Sequence, residues 1–302
     1  MTNVWIAIAW GLLGPVLLLA LAPLLDGIAR QIRARLESRA GPPLLQGYVD
    51  LAKLAGKREV SAATSSLARA LPLLALGSAV AAGVLLPVGG AAPLGFAGDG
   101  LVLVYLLALS SVACALAGSA SSSPFATLGA GREMLLLFLA EPVMAVGLFV
   151  IGLKCGSFRL ADLAEWQAAN GPGISGVLAA AGVLVALPAT MGRLPFDQPE
   201  AEQELMGGVT IEFGGRRLAL LRWTLFVRWL VIAWLVAEVF LPTPLPLALA
   251  LPAVAVKLLL VFGVAMTASA LFARLRMDRV RVYLAQVGLL MGSALAFAWI
   301  GS

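Results

Sequence analysis

The sequence contains no histidine and only two cysteines, Cys114 and Cys155. The commonest metal ligand and general base is therefore missing. No Cys/His cluster is left to hold zinc, haem or an iron–sulfur centre, and neither a Walker A loop nor a GxGxxG fingerprint occurs. Charge is scarce too: Asp, Glu, Lys and Arg make up 12% of the 302 residues, where a soluble domain carries roughly a quarter. That is too little to coat a soluble protein of this length. What is present instead is apolar, 61% of the residues, and the solvent suited to most of them is lipid.

A bilayer-spanning helix needs about 20 mostly apolar residues. Runs of that kind, rich in Leu, Ala and Val, lie at about 4–25, 67–88, 100–119, 132–152, 174–191, 223–241, 247–271 and 282–300. They do not alternate as the strands of a membrane barrel would, and backbone hydrogen bonding in lipid favours helices. The expectation is an all-α integral membrane protein, one polytopic domain over 1–302 with about eight transmembrane helices. No positive charge precedes the first run, so it is expected to stay as a span, not to be cleaved as a signal peptide.

Orientation follows from the basic residues. All but four of the 21 lysines and arginines fall in, or flank, the loops after spans 1, 3, 5 and 7. The exceptions are Lys154 and Arg159 in the loop after span 4, and Arg228 and Lys257 within spans. By the positive-inside rule loops 1, 3, 5 and 7 face the cytoplasm and both termini face outward. The net charge of +5 is thus largely a topology signal. The two cysteines then fall toward opposite faces, which argues against a disulfide. Loop 1 contains Leu44, Leu45, Tyr48, Leu51, Ala52, Leu54 and Ala55 at helical spacing, with Asp50, Lys53 and Lys57 between them. That pattern predicts an amphipathic helix in the membrane interface, opened by Gly41-Pro42-Pro43.

Loop 5 reads Arg193-Leu194-Pro195-Phe196-Asp197-Gln198-Pro199-Glu200-Ala201-Glu202-Gln203-Glu204 and runs on to Glu212. A solvated polar loop has this composition too, but acids are not what topology asks for on a basic face, and Pro195 and Pro199 stiffen the segment. If 200–204 is helical, Glu200 and Glu204 share a face and Glu202 points elsewhere. Clustered carboxylates raise one another's pKa and can relay protons near neutral pH. Within the spans, Glu133, Glu141, Arg228, Glu238 and Lys257 are ionisable, and such residues are costly in lipid. Glu133 and Glu238 sit near span ends, where a headgroup-level charge is the competing reading, and Arg228 has the reach to snorkel. Glu141 and Lys257 lie near the bilayer centre, and Pro142 frees a carbonyl one turn from Glu141. The proton-pathway candidates are therefore Glu133, Glu141, Asp197, Glu200, Glu202, Glu204, Glu212, Glu238 and Lys257, with no catalytic or metal-binding residue among them.

The segment Arg193–Glu204, with Glu212-Phe213-Gly214-Gly215 after it, closely resembles the acidic loop of the subunit 1 family of respiratory complex I. Loop 1 matches that family through Gly41-Pro42-Pro43-Leu44-Leu45-Gln46 and Asp50-Leu51-Ala52-Lys53-Leu54. The short loop 1 and Arg217-Leu218-Ala219-Leu220-Leu221-Arg222-Trp223 are similar to the hydrogenase branch, the formate hydrogenlyase subunit 4 and hydrogenase-4 component C type. The resemblance implies a membrane anchor and coupling subunit that links redox chemistry in soluble subunits to proton or sodium translocation. It implies no cofactor on this chain, with a NiFe centre and iron–sulfur clusters in the partners. Those partners would be the hydrogenase large and small subunits, iron–sulfur subunits and antiporter-like membrane subunits. Gly41, Pro42, Gln46, Asp50, Lys53, Arg193, Pro195, Phe196 and Asp197 would form the docking surface for the soluble module. The alternatives are a quinone-site subunit of an NADH-quinone oxidoreductase and, from another class, a stand-alone cation/proton transporter. The last is disfavoured by the two long loops and the lack of an inverted repeat. The expected location is the cell inner membrane. Single cysteines introduced near Gly47 and Gly208 should stay shielded from an impermeant thiol reagent in intact cells; labelling of either from outside overturns the orientation.

Overall fold

The computed structural model describes residues 2–59, 66–87, 92–121, 123–241 and 247–301. Side chains 2–4, 6, 67, 202, 203 and 247–251 lie outside the described set, as does Val88 at the close of the expected second span. The described residues form α1 (Thr2–Leu36), α2 (Gln46–Ala55), α3 (Ser66–Val84), α4 (Asp99–Ser119), α5 (Pro124–Cys155), α6 (Leu160–Asn170), α7 (Ile174–Thr190), α8 (Glu202–Leu205), α9 (Gly215–Val239), α10 (Leu247–Leu271) and α11 (Met277–Ile300). A 3-10 turn over Gly208–Glu212 follows α8. Helices α1, α4, α5, α9, α10 and α11 are long and apolar enough to cross a bilayer, and α3 and α7 are shorter apolar helices. These eight fall on the eight expected spans. The chain is an all-α, multi-pass membrane protein.

Two expected spans are too short, for a local reason. The first apolar run ends near Leu25, but Arg30 pairs with Asp26 at 2.7 Å across one turn, and Ala, Arg, Gln and Leu are good helix formers. The helix therefore continues to Leu36. The fourth span begins eight residues early, at Pro124, which is suited to the first helical position because it has no N–H to leave unpaired. Helix α6 was not expected. Asp99 accepts a hydrogen bond from the Leu160 N–H at 2.7 Å, so a carboxylate from α4 caps the start of α6.

Helix α9 is the hub. Its apolar stretch is 78% buried, against 28% for those of α1 and α11, and it packs against α1, α2, α3 and α10. The remaining apolar surface points outward, as in Phe138, Leu289 and Trp299, and is suited to lipid or membrane partners. The loops after spans 1, 3, 5 and 7 converge on one end of the bundle. Arg193 of loop 5 meets Asp26 at 3.3 Å, Asp197 meets Arg274 at 2.9 Å, and the Leu275 N–H donates to Pro195 O at 3.0 Å. Lys53 and Ile211 are exposed at this end and suit the labelling test near Gly47 and Gly208.

Loop 5 is pressed onto α5 by backbone contact. A Cβ on Gly129 of α5 would lie 2.9 Å from Gly208 Cα and 3.0 Å from Pro199 O. Gly208 has a φ of +56°, and a Cβ there would overlap Pro199 O. Gly208→Ala is therefore expected to destabilise the chain by about 1–3 kcal/mol, through overpacking and left-handed strain. Gly131→Ala, where a Cβ meets nothing within 4 Å, serves as the control. Thermal unfolding of the purified proteins should show a lower Tm for the first only.

Candidate functional site

The end of α7 sets the site. Gly192, at φ +60°, closes the helix: its N–H bonds Ala189 O at 3.1 Å and the Arg193 N–H bonds Pro188 O at 2.9 Å. This is the Schellman pattern, and it fixes where Arg193 leaves the helix. The Arg193 guanidinium lies 3.6 Å over the Trp229 ring of α9, whose Nε1 donates to Met191 O at 2.6 Å. Asp26, 2% exposed, is shared by Arg193 and Arg30, and Arg30 reaches on to Asp50 of α2 at 3.1 Å. Asp50 also accepts from Gln46 at 2.8 Å.

On the other side of this clamp is a cavity of about 50 Å³ lined by Glu133, Glu141, Glu200, Arg228, Thr190 and Trp229 among others. At about 10–15 Å³ of such space per water, it takes roughly three to five waters. A second cavity of about 40 Å³, lined by Cys114, Glu133, Glu200 and Thr210, shares its Glu133–Glu200 wall. A third of about 20 Å³, lined by Glu141, Thr190, Arg228, Ile232 and Leu235, shares its Glu141–Arg228 wall. Carboxylates from loop 5 and from the membrane helix α5 thus border one continuous set of walls. Arg228 is 8% exposed and pairs with Glu133 at 3.4 Å. It does not snorkel; Glu133 gives it a partner inside the bundle.

Burial pushes the Glu200 carboxyl up to about 7, with the negative Asp197 and Glu133 acting in the same direction and Arg193 and Arg222 against it. Glu200 therefore keeps its proton up to near-neutral pH and releases it as pH rises through that value. Burial lowers the pKa of the Arg193 guanidinium, while Asp26 and Glu200 hold the charge in place.

The other expected residues are distributed as follows. Glu204 is exposed and pairs with Arg132 at 2.7 Å; the helix begins only at Glu202, so the shared Glu200–Glu204 face does not form. The Glu202 side chain lies outside the described residues, and Glu212 is half-buried in the 3-10 turn. Lys257 lies 3.9 Å from Glu238, apart from the Glu141 cavity, so the two central charges belong to different clusters. Pro195 and Phe196 are buried, Phe196 against the Tyr283 ring at 5.1 Å. Asp197 is half-buried, and Gly41 and Lys53 are exposed. Pro42 O accepts from Gln31 at 3.3 Å. Sequence reasoning missed Asp26 and Trp229, and it counted Arg30, Arg132 and Arg274 only as topology charges. The spacing of Asp26 and Arg30, four apart at the end of an apolar run, was the available signal.

A family profile described as NADH dehydrogenase matches residues 9–300. The chain belongs to that family, in its complex I subunit 1 type. Hydrogenase-4 component C of Escherichia coli K12 is 40% identical over 231 residues, 75% of this chain and 73% of that protein. Formate hydrogenlyase subunit 4 of the same organism is 35% identical over 242 residues, 78% of each. An NADH-quinone oxidoreductase subunit of Geobacter metallireducens is 32% identical over 241 residues, 74% of this chain and 73% of that one. Among solved structures, a chain of the membrane-bound sulfane sulfur reductase, an archaeal respiratory membrane complex, superposes with a TM-score of 0.87. The match covers 97% of this chain and 99% of that one at 24% identity, so it speaks to the fold. Two of these relatives are of the hydrogenase type that the loops resemble.

The Glu238–Lys257 pair is buried at 7% and 12% side-chain exposure, and among the described residues Glu238 Oε1 accepts no hydrogen bond. Removing one partner of such a pair costs about 3–5 kcal/mol, whereas removing both can be near neutral. Glu238→Gln and Lys257→Met should each lower the amount of chain in the membrane, and the double variant should restore much of it, as read by immunoblot of membrane fractions.

Proposed function

We propose that this chain is the membrane anchor and coupling subunit of a membrane-bound NiFe hydrogenase or formate hydrogenlyase-type complex, and that it links redox chemistry in soluble subunits to proton translocation. The observation that carries this reading is the wall shared by Glu200 of loop 5 with Glu133 and Glu141 of α5. A carboxylate on the polar face and carboxylates of a membrane helix border the same water-sized space, which is what a proton relay needs. The hydrogenase relatives at 40% and 35% identity support the choice of branch. Catalysis, with the NiFe centre and iron–sulfur clusters, is assigned to the soluble partners. Antiporter-like membrane subunits are the proposed neighbours.

Loops 1 and 5 are the proposed docking face, set on the cytoplasmic side of the inner membrane with both termini outside. Lys53 gives that face an exposed charge, Asp50 lies half-buried against Arg30, and Arg193, Pro195 and Phe196 shape the face from within. A second reading, the quinone-site subunit of an NADH-quinone oxidoreductase, is supported by the 32% identical relative from Geobacter metallireducens. Purifying the native complex and identifying its subunits separates the two.

Glu141→Gln keeps shape and hydrogen-bonding capacity while removing the titratable proton. It should leave assembly and redox turnover with an artificial acceptor near wild type. Proton translocation, followed by dye quench in vesicles, should fall by about tenfold or more, below the full effect of one positioned acid–base group. Translocation at the wild-type rate removes Glu141 from the path.

A further inference from the structure

We infer that Asp26 is a positioning residue: by holding the Arg193 guanidinium against Trp229 it sets the charge that Glu200 experiences, and loop 1 reaches it through Arg30 and Asp50. This rests on the reading of the Glu200 cavity as a proton-handling site. Asp26 sits on α1, outside the cavity wall.

Three pieces of geometry carry the inference. First, Asp26 is a single buried carboxylate serving two cations, Arg30 at 2.7 Å and Arg193 at 3.3 Å. Arg30 makes the closer ion pair, to Oδ2, and Arg193 hydrogen-bonds Oδ1, so the two cations compete for the two oxygens of one carboxylate. Second, Arg193 lies on the ring of Trp229, and Trp229 is itself part of the wall that contains Glu200. A guanidinium keeps its attraction to an aromatic face anywhere within about 6 Å of the ring centroid, so Arg193 at 3.6 Å has room to shift toward the cavity when its hold on Asp26 loosens. Third, Arg30 is shared in turn between Asp26 and Asp50, and Asp50 lies on α2, part of the loop 1 surface. Any contact that takes Asp50 away from Arg30 leaves Arg30 wholly to Asp26. Asp26 then holds Arg193 less, and the cation is freer to favour the ionised form of Glu200. A docking event at loop 1 is thereby converted into proton release at the cavity without moving a helix.

Glu200 also faces Asp197 of its own loop, Glu133 of α5, Arg222 and Arg228 of α9, Cys114 of α4 and, across the cavity, Glu141. Arg132 of α5 is engaged by Glu204, and Arg228 by Glu133. Arg193 is the cation near Glu200 whose partner lies on α1.

The test follows the Glu200 carboxyl by pH-difference infrared spectroscopy of the purified membrane complex, with the band assigned by its loss in Glu200→Gln. Asp26→Asn should move the titration of that band down by about one pH unit or more, since an unshared cation nearby favours the carboxylate. Arg193→Gln should move it up. The decisive comparison is the double variant. If Asp26 acts by positioning Arg193, Asp26→Asn changes nothing once Arg193 is Gln. A shift of equal size in both backgrounds means that Asp26 acts only through its own field, and overturns the inference. So does the absence of a shift in the wild-type background. Should Asp26→Asn fail to assemble, Asp50→Asn, at the half-exposed end of the chain of ion pairs, is read in the same two backgrounds by the same criterion. If Glu200→Gln removes no titrating band at all, the proton-handling reading of the cavity fails, and this inference with it. A titrating band that ignores Asp26 leaves that reading standing and sinks this inference alone.

Discussion

A cation seated over an indole ring holds the polar end of this bundle together. Arg193 leaves α7 at a fixed angle, stacks on Trp229 of the central helix and reaches back to Asp26 of the first helix. Three elements distant in sequence meet at one guanidinium. The planar, delocalised charge is well suited to that position, because it desolvates more readily than an ammonium and satisfies a ring face and a carboxylate together. With Arg193 in place, Pro195 and Phe196 turn inward, Asp197 finds Arg274, and the remaining loop folds back over α5.

What the residues revealed in advance was whatever depends on composition and period. Apolar runs of the right length gave the eight spans, and the bias of Lys and Arg grouped the loops that the structure brings to one end. Pairing across the bundle was not legible, because it depends on which faces of α1, α5, α9 and α10 meet. Glu141 and Lys257 looked alike as single charges in apolar runs. Their helices present them to different neighbours, Glu141 to the Arg228 cavity and Lys257 to Glu238. Asp26 was overlooked for the opposite reason, since it stands at the end of an apolar run where a charge is unremarkable. The acidic loop was recognised by its motif, but the motif mixes residues with different duties. Glu200 faces the cavity, Glu204 faces outward, and Phe196 is packing.

Helix α9 carries two buried charged residues that do not share a flank. Arg228 lines the cavities, and Glu238, ten residues on and so about 15 Å further along the axis, turns toward α10. Ile232 and Leu235 continue the cavity face between them. The helix therefore separates the loop 5 acids from the Glu238–Lys257 pair, and a proton path through both would have to cross its flank. This geometry makes them separate sites, the Glu133–Glu141–Glu200 walls beside Arg228 and the Glu238–Lys257 pair toward α10.

The contact between Gly208, Gly129 and the Pro199 carbonyl has an evolutionary consequence. Glu200 is the next residue after Pro199, so the place of the acid is inherited from a backbone collision that only hydrogen avoids. A relative that accepts a side chain at either glycine must lift Pro199 off α5 and draw the carboxylate away from Glu133, even with every acid of the loop retained. Across the branch, the two glycines should therefore drift no faster than the acids, and a loop that loses one of them should carry its acid away from the Glu133 wall.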